Sequence, residues 1–323
     1  MNTEIELKFL VSPEFVGLLP TLLAGYNVNH QDQKTLANTY FDTPDLALGR
    51  MKAGLRIRCQ NGRLEQTIKL AGSQVGGLHQ RPEYNIDLTV AEPDLSLFPA
   101  EIWPIDFSVS QVQAQLRPLF STDFVRERWL IRLNDTEIEL ALDQGEVRSG
   151  LQQEAIQELE LELVSGEVAG LFALAEQLLS QGGLRLSDVS KAERGYRLAG
   201  LAAGPQLQAL TFSSEPPAHD KPALLPMLAQ GVAHWQHHEQ GVLMEDAALE
   251  KEPWLAQVRI GIDLVAQSLA LLPKDAPDLL QELAWLQAQL REAQVPVNEL
   301  FYGARYGRLL LQLTRYLYEQ GAQ

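Results

Sequence analysis

Charged and apolar residues alternate in short runs through residues 1–200. In Glu4-Ile5-Glu6-Leu7-Lys8 the charges fall on one side of an extended chain. Ile5, Leu7 and Phe9 fall on the other, because successive side chains of a strand point to opposite faces. The same period of two places Arg56 with Arg58, Thr67 with Lys69, and Arg81 with Glu83, Asn85 and Asp87. It recurs at Arg126, Arg128 and Arg132, at Glu137, Glu139 and Asp143, and at Glu158, Glu160 and Glu162. These runs predict an N-terminal strand and further strands over 35–42, 53–60, 63–70, 79–88, 124–133, 136–143 and 155–164. Asn61-Gly62 and Asn134-Asp135 read as tight turns between strand pairs. Residues 13–25 and 167–182 carry helical spacing instead, and Gly182-Gly183 ends the second.

Beyond residue 200 the pattern changes. Residues 201–222 are rich in Gly, Pro, Ser and Ala and read as a linker. Helical spacing then predicts helices near 223–242, 253–272, 276–294 and 297–320, with Pro253 and Pro277 at first helical turns. Pro273 and Pro296 fall between helices. Four helices on short connections predict an antiparallel bundle over 223–323.

Alternation alone has an ordinary reading, an antiparallel sheet with one wet face. Three features favour a closed barrel with a polar interior. The charges recur in nearly every strand. Many are arginines, whose fork of donors matches phosphate. The two signs also segregate, with carboxylates in the first and last strands and cations between them. Eight strands leave an interior just wide enough for side chains or one small ligand. Cations converging there need a polyanion, and carboxylates beside them need divalent cations. This predicts a metal-dependent phosphohydrolase or phosphotransferase for a short, highly charged polyphosphate.

Composition narrows this. Of 323 residues, 26 are Lys or Arg and 42 are Asp or Glu, a formal charge of −16. Such an acidic chain argues against a nucleic-acid or anionic-membrane surface but leaves a local cationic pocket free to form. Cys59 is the only cysteine, so no internal disulfide or cysteine metal framework exists. The charged N-terminus and the lack of a long apolar run predict a cytoplasmic protein without leader or membrane span. No GxxxxGK[ST] phosphate loop occurs.

The ordered motifs resemble the CYTH superfamily, the triphosphate tunnel metalloenzymes. They are the ExExK strand at Glu4–Lys8, RxR at Arg56–Arg58, Lys69, Glu83 after Arg81-Pro82, Arg126 and Arg128, Asp143, the ExExE run at Glu158–Glu162, and Ser190-Lys191. The resemblance covers residues 1–200. Within the superfamily, GGLHQRPEYN, PLFSTDF and ALDQGEV are similar to bacterial inorganic triphosphatases that join a CYTH to a CHAD domain. It implies an α+β protein: an eight-stranded antiparallel closed β-barrel, the tunnel fold, with flanking helices, followed by an α-helical bundle like the first half of a CHAD domain. It implies hydrolysis of tripolyphosphate to pyrophosphate and phosphate. The alternatives are a class IV type adenylyl cyclase, a nucleoside or thiamine triphosphatase, or a non-catalytic polyphosphate-binding module. Lys8, Arg56, Arg58, Lys69, Arg126, Arg128 and Lys191 would hold phosphates. Glu4 and Glu6, with two of Glu158, Glu160 and Glu162, would bind Mg²⁺ or Mn²⁺, two per site. Glu83 and Asp143 would join Glu4, Glu6 and Lys8 as catalytic residues by binding or orienting cations, water or basic side chains. CHAD domains also associate with polyphosphate, and Arg305, Arg308 and Arg315 give the helical half some basic character.

Other candidates read more plainly. His234, His237 and His238 share a helical face and read as surface or bundle-packing residues. His79 stands next to the Arg81–Glu83 strand, a candidate to support the site. Cys59 follows Arg58, so it should point out of the tunnel and pack there. Trp235, Trp254, Trp285, Tyr302, Tyr306, Tyr316 and Tyr318 read as bundle core and interface.

Overall fold

In the computed structural model, which describes residues 2–210, 221–244, 249–272, 277–293 and 295–321, ten antiparallel strands form one sheet that closes on itself. They are β1 (Asn2–Val11), β2 (Asn27–Asp42), β3 (Gly54–Gln60), β4 (Arg63–Lys69), β5 (Ser73–Val75), β6 (Leu78–Leu88), β7 (Arg117–Leu133), β8 (Thr136–Ser149), β9 (Gln152–Ser165) and β10 (Leu184–Leu186). The order β1-β9-β8-β7-β2-β3-β4-β6 returns to β1, because β6 pairs with β1 from Asn2↔Glu83 to Leu7↔Leu78. That ring is the eight-stranded barrel the alternation predicts. The short β5 and β10 extend it, on β6 and β1 respectively.

Five helices accompany the barrel: α1 (Pro13–Leu23), α2 (Ala47–Arg50), α3 (Val109–Gln113), α4 (Val168–Leu179) and α5 (Lys191–Leu198). Ser12 caps α1 and Ser190 caps α5, each hydroxyl accepting a first-turn N–H. The bundle holds α6 (Lys221–Leu243), α7 (Lys251–Leu271), α8 (Pro277–Glu292), α9 (Val297–Phe301) and α10 (Ala304–Glu319). The expected helix over 297–320 is thus two helices. The chain turns extended at Gly303, where the Tyr302 carbonyl accepts the Gly183 N–H at 2.7 Å, a bond to the barrel half.

The apolar face of the opening strand looks outward. Leu7 and Phe9, with Leu140, Leu159 and Leu161, pack under α1 and α4 in a buried cluster that continues into the bundle through Leu310, Leu313 and Leu317. One core therefore runs through both halves. A polar lock crosses it: Arg185 of β10 donates to Glu239 of α6 at 2.8 Å, Glu239 also accepts from Tyr306, and Trp235 Nε1 donates to the Tyr306 hydroxyl at 2.8 Å.

The linker is described up to residue 210, and residues 211–220 lie outside the described residues. His237 Nε2 donates to the Gln206 carbonyl at 2.8 Å, and His238 Nε2 accepts the Gln208 N–H at 3.1 Å. The histidine face thus pins the start of the linker to α6. Cys59 is exposed, so the packing expected of it does not occur; it lies near the end of β3, beyond the buried Leu55 and Ile57 of the same face.

Candidate active site

The period of two and the pairing register deliver the charges to one interior. Lys8 stands opposite Glu160 and Glu6 opposite Glu162 between β1 and β9. Lys69 faces Glu83 between β4 and β6, and Arg126 faces Asp143 between β7 and β8. The interior holds a cavity of about 970 Å³. Glu4, Glu6, Lys8, Arg56, Arg58, Lys69, Glu83, Arg126, Glu160, Glu162 and Lys191 line it, as do Tyr40, Arg81 and Glu139. Lys191 enters from the first turn of α5, which closes over the barrel.

The expected residues divide by surroundings. Asp143 and Glu158 are fully buried behind the cavity wall. Asp143 accepts from Arg126 at 2.6 and 2.7 Å and pairs with Lys191 at 2.8 Å. Glu158 pairs with Lys191 at 2.8 Å and accepts from Arg194 at 2.6 Å. Glu160 joins Lys191 at 2.8 Å, Lys8 at 3.3 Å and Arg126 at 2.5 Å. Burial raises the Glu158 and Glu160 pKa values, but these cations outweigh it and hold both below the usual carboxylate range. The two carboxylates orient basic side chains.

Glu4 and Glu162 differ. Burial, with repulsion from Glu4, Glu139 and Glu6, pushes Glu162 up to about 8 despite Lys69. Burial, joined by Glu6 and Glu83, pushes Glu4 up to about 7, although Lys69 bonds it at 2.5 and 2.7 Å. Glu83 shares that lysine at 2.8 Å; burial raises it, but Lys69 and Arg56 draw it down to about 2. The Glu4–Glu6–Glu139–Glu162 side of the cavity carries more negative charge than its cations offset. Such an oxygen-rich group suits Mg²⁺ or Mn²⁺. Among the described residues, no three such ligands gather tightly enough to cage an ion unaided.

Across the cavity the imbalance reverses. Arg56 and Arg58 have no carboxylate within ion-pair distance among the described residues. Arg58 donates to Asn38 at 2.9 Å. Burial, then repulsion from Arg56 and Arg126, pushes its pKa down to about 9. Burial would raise the Tyr40 hydroxyl pKa, but Arg56, Lys191 and Lys69 lower it. The buried Arg56 Nε has no hydrogen-bond partner among the described residues. Burial opposes its charge, but Tyr40, Glu83 and Glu4 favour the charged Arg56 all the same. Crowded guanidinium groups that face a cavity without a carboxylate partner fit an anion of several charges.

Arg128 shares the parity of Arg126 but does not reach the cavity. It donates to Asp32 at 2.7 and 2.9 Å and to Glu139 at 3.0 Å. Glu139, Tyr40, Arg81 and Arg194 are neighbours that motif reading passes over. Glu139 and Arg81 share a face with expected residues and were legible as such. Tyr40 and Arg194 carry no pattern that marks them.

The CYTH domain family matches residues 2–196. The chain is 40% identical over 198 residues to the inorganic triphosphatase of Haemophilus influenzae, covering 61% of this chain and 55% of that protein. The chain thus matches about half the length of that curated relative. Among solved structures it is similar to a Hippeastrum adenylyl cyclase candidate with a dominant triphosphatase activity (TM-score 0.45, 21% identity, 58% of this chain and 92% of that one). It is also similar to the Mimivirus capping enzyme triphosphatase (TM-score 0.36, 14% identity, 55% and 88%).

Proposed function

The chain belongs to the CYTH domain family, and from that premise we propose that it is a metal-dependent inorganic triphosphatase, hydrolysing tripolyphosphate to pyrophosphate and phosphate inside the barrel. One observation carries the reading: a single cavity sets under-compensated carboxylates, with Glu4 at about 7 and Glu162 at about 8, against guanidinium groups that have no carboxylate partner among the described residues, with Arg58 at about 9. Either imbalance alone would be costly to bury. A phosphate chain carrying divalent cations corrects both.

In this reading Arg56, Arg58, Lys8, Lys69 and Lys191 hold the phosphates. Arg126, held by Asp143 and Glu160, lends charge from the cavity wall. Glu4, Glu6 and Glu162, with Glu160, would hold Mg²⁺ or Mn²⁺, two per site as the family resemblance implies. Bound there, the cation supplies charge neutralisation on phosphate oxygens and acidifies the attacking water. Lys69, shared between Glu4 and Glu83, is placed to exchange a carboxylate partner for a phosphate when substrate arrives. Asp143 and Glu158 keep Lys191 charged and directed inward. No side chain need form a covalent bond to phosphorus, since water is the nucleophile.

We assign this chemistry to residues 1–200 and read 201–222 as a connector and 223–323 as a unit resembling the first half of a CHAD domain. Arg305 pairs with Glu282 at 2.6 Å and Arg315 with Glu319 at 2.7 Å, so of the three arginines only the exposed Arg308 lacks a carboxylate partner among the described residues. No described helix is long and apolar enough to cross a membrane.

The test is phosphate release from tripolyphosphate, ATP and thiamine triphosphate with Mg²⁺ or Mn²⁺, with cyclic AMP measured alongside. Preferred release from tripolyphosphate supports the proposal. Cyclic AMP formation would identify a cyclase, and tight binding without turnover a polyphosphate-binding module.

A further inference from the structure

Arg81 has no role in the mechanism above, yet it lines the same cavity. It stands opposite Glu4 in the pairing of β6 with β1, on the inward face. Among the described residues no carboxylate lies within ion-pair distance of its guanidinium. Its Nη2 donates to Nδ1 of His79 at 2.8 Å and to Oε1 of Gln74 at 3.2 Å.

His79 is 1% exposed. Its Nε2 lies 3.3 Å from the Ser187 carbonyl, which can only accept a proton. The ring proton therefore sits on Nε2, and Nδ1 turns a lone pair to Arg81. Burial and the nearby charges of Lys8 and Arg81 favour the neutral ring. The acceptor carbonyl is itself anchored. The Ser187 N–H donates to the Lys8 carbonyl at 2.9 Å. The neighbouring Asp188 accepts from Gln240 of α6 and, through its carbonyl, from Gln74, both at 2.8 Å. A run of hydrogen bonds thus leads from the bundle through Asp188, Ser187 and His79 to a guanidinium at the cavity wall.

A neutral imidazole orients a cation without neutralising it. An ion pair would have satisfied Arg81 within the fold, whereas this arrangement leaves its charge directed at the cavity. We propose that Arg81 is a further substrate-binding cation, contacting a phosphoryl group at the Glu4 side of the cavity, and that His79 is the positioning residue that aims it. This rests on the triphosphatase reading. It adds a binding contact that the motif strands Arg56–Arg58, Lys69 and Arg126–Arg128 do not supply.

The test combines kinetics with calorimetry on the full chain. Arg81→Ala should raise KM for tripolyphosphate about tenfold and change kcat far less, as expected for losing one charged hydrogen-bonding partner. Calorimetric titration with tripolyphosphate in the absence of metal ions should show a matching loss of affinity. Arg81→Lys should recover only part, because the fork is lost. His79→Ala should raise KM severalfold in the wild-type background and add nothing in the Arg81→Ala background. Thermal unfolding checks that the variants fold; should His79→Ala not fold, the two Arg81 variants on the cavity wall carry the test. Unchanged KM and affinity in Arg81→Ala overturn the proposal. A His79→Ala effect that persists without Arg81 overturns the positioning role. A wild-type protein inert on tripolyphosphate contradicts the triphosphatase reading instead, and the calorimetric comparison still decides whether Arg81 holds phosphate.

Discussion

The three glutamates of the ExExE run have the same spacing and the same face, but three different environments. Glu158 meets Lys191 and Arg194, Glu160 meets Lys8, Arg126 and Lys191, and Glu162 meets mostly other carboxylates. Their chemistry follows from these neighbours, so substitutions should separate them. Glu162→Gln removes a repelled carboxylate; it should keep or raise thermal stability while lowering turnover by a factor of about 100 or more. Glu158→Gln leaves Lys191 and Arg194 short of a counter-charge in a dry site and should cost about 3 kcal/mol of folding stability, read by denaturant unfolding. The sequence could place all three on one face but could not rank them, because the Ser190-Lys191 motif marks Lys191 without saying which carboxylates it and Arg194 meet. The same limit hid the fate of Arg128. Its parity matches Arg126, but its partners Asp32 and Glu139 depend on how β2 and β8 flank β7.

At the level of elements, the period of two was legible wherever one face is apolar. It faded where both faces are polar or exposed. β2 begins at Asn27 rather than 35 because Asn27–Lys34 is mostly polar and exposed, held by pairing with β7 rather than by burial. β7 begins at Arg117 rather than 124, and its Pro118 sits beside the register shift between Tyr40 and Phe41, where a missing N–H is tolerated. The linker was legible, but its pinning to the bundle was not, since those contacts come from His237 and His238 of α6. Burial, aided by His234 and His237, pushes the His238 pKa down to about 4, and its Nε2 accepts the Gln208 N–H. An unfolded histidine titrates near 6.5, so the unfolded chain gains a proton first as pH falls. The stability from this contact is whole above pH of about 6.5 and drains away toward pH of about 4. His238→Gln should flatten that part of the stability–pH curve, measured by urea unfolding between the two values. An unchanged slope would show that the contact does not govern it.

For the whole molecule, the joined core makes the two halves one mechanical unit despite their different patterns. Arg185, Glu239, Tyr306 and Trp235 bond in series across the junction, and Thr314 of α10 donates to the Gly76 carbonyl at 3.1 Å. Gly76 has φ of +57° and a Cβ there would collide with Thr314, so the hairpin next to Lys8 accepts only glycine. Glu239→Ala should therefore cost about 3–5 kcal/mol, because it strands the buried Arg185. Scanning calorimetry should show a single transition moving down in temperature, not the separate loss of a bundle. Substrate should act in the opposite direction: tripolyphosphate at about 100 times its Kd should add about 2.7 kcal/mol, seen as a higher Tm, provided it meets the paired imbalances of the cavity. The central claim is that carboxylates and guanidinium groups in one tunnel hydrolyse a phosphate chain together. Its most direct measurement is phosphate release from tripolyphosphate with Mg²⁺ or Mn²⁺, wild type against Glu6→Ala. The account predicts rapid release by the wild type and loss of nearly all of it in a variant that remains folded. Release that is undiminished in Glu6→Ala would contradict it.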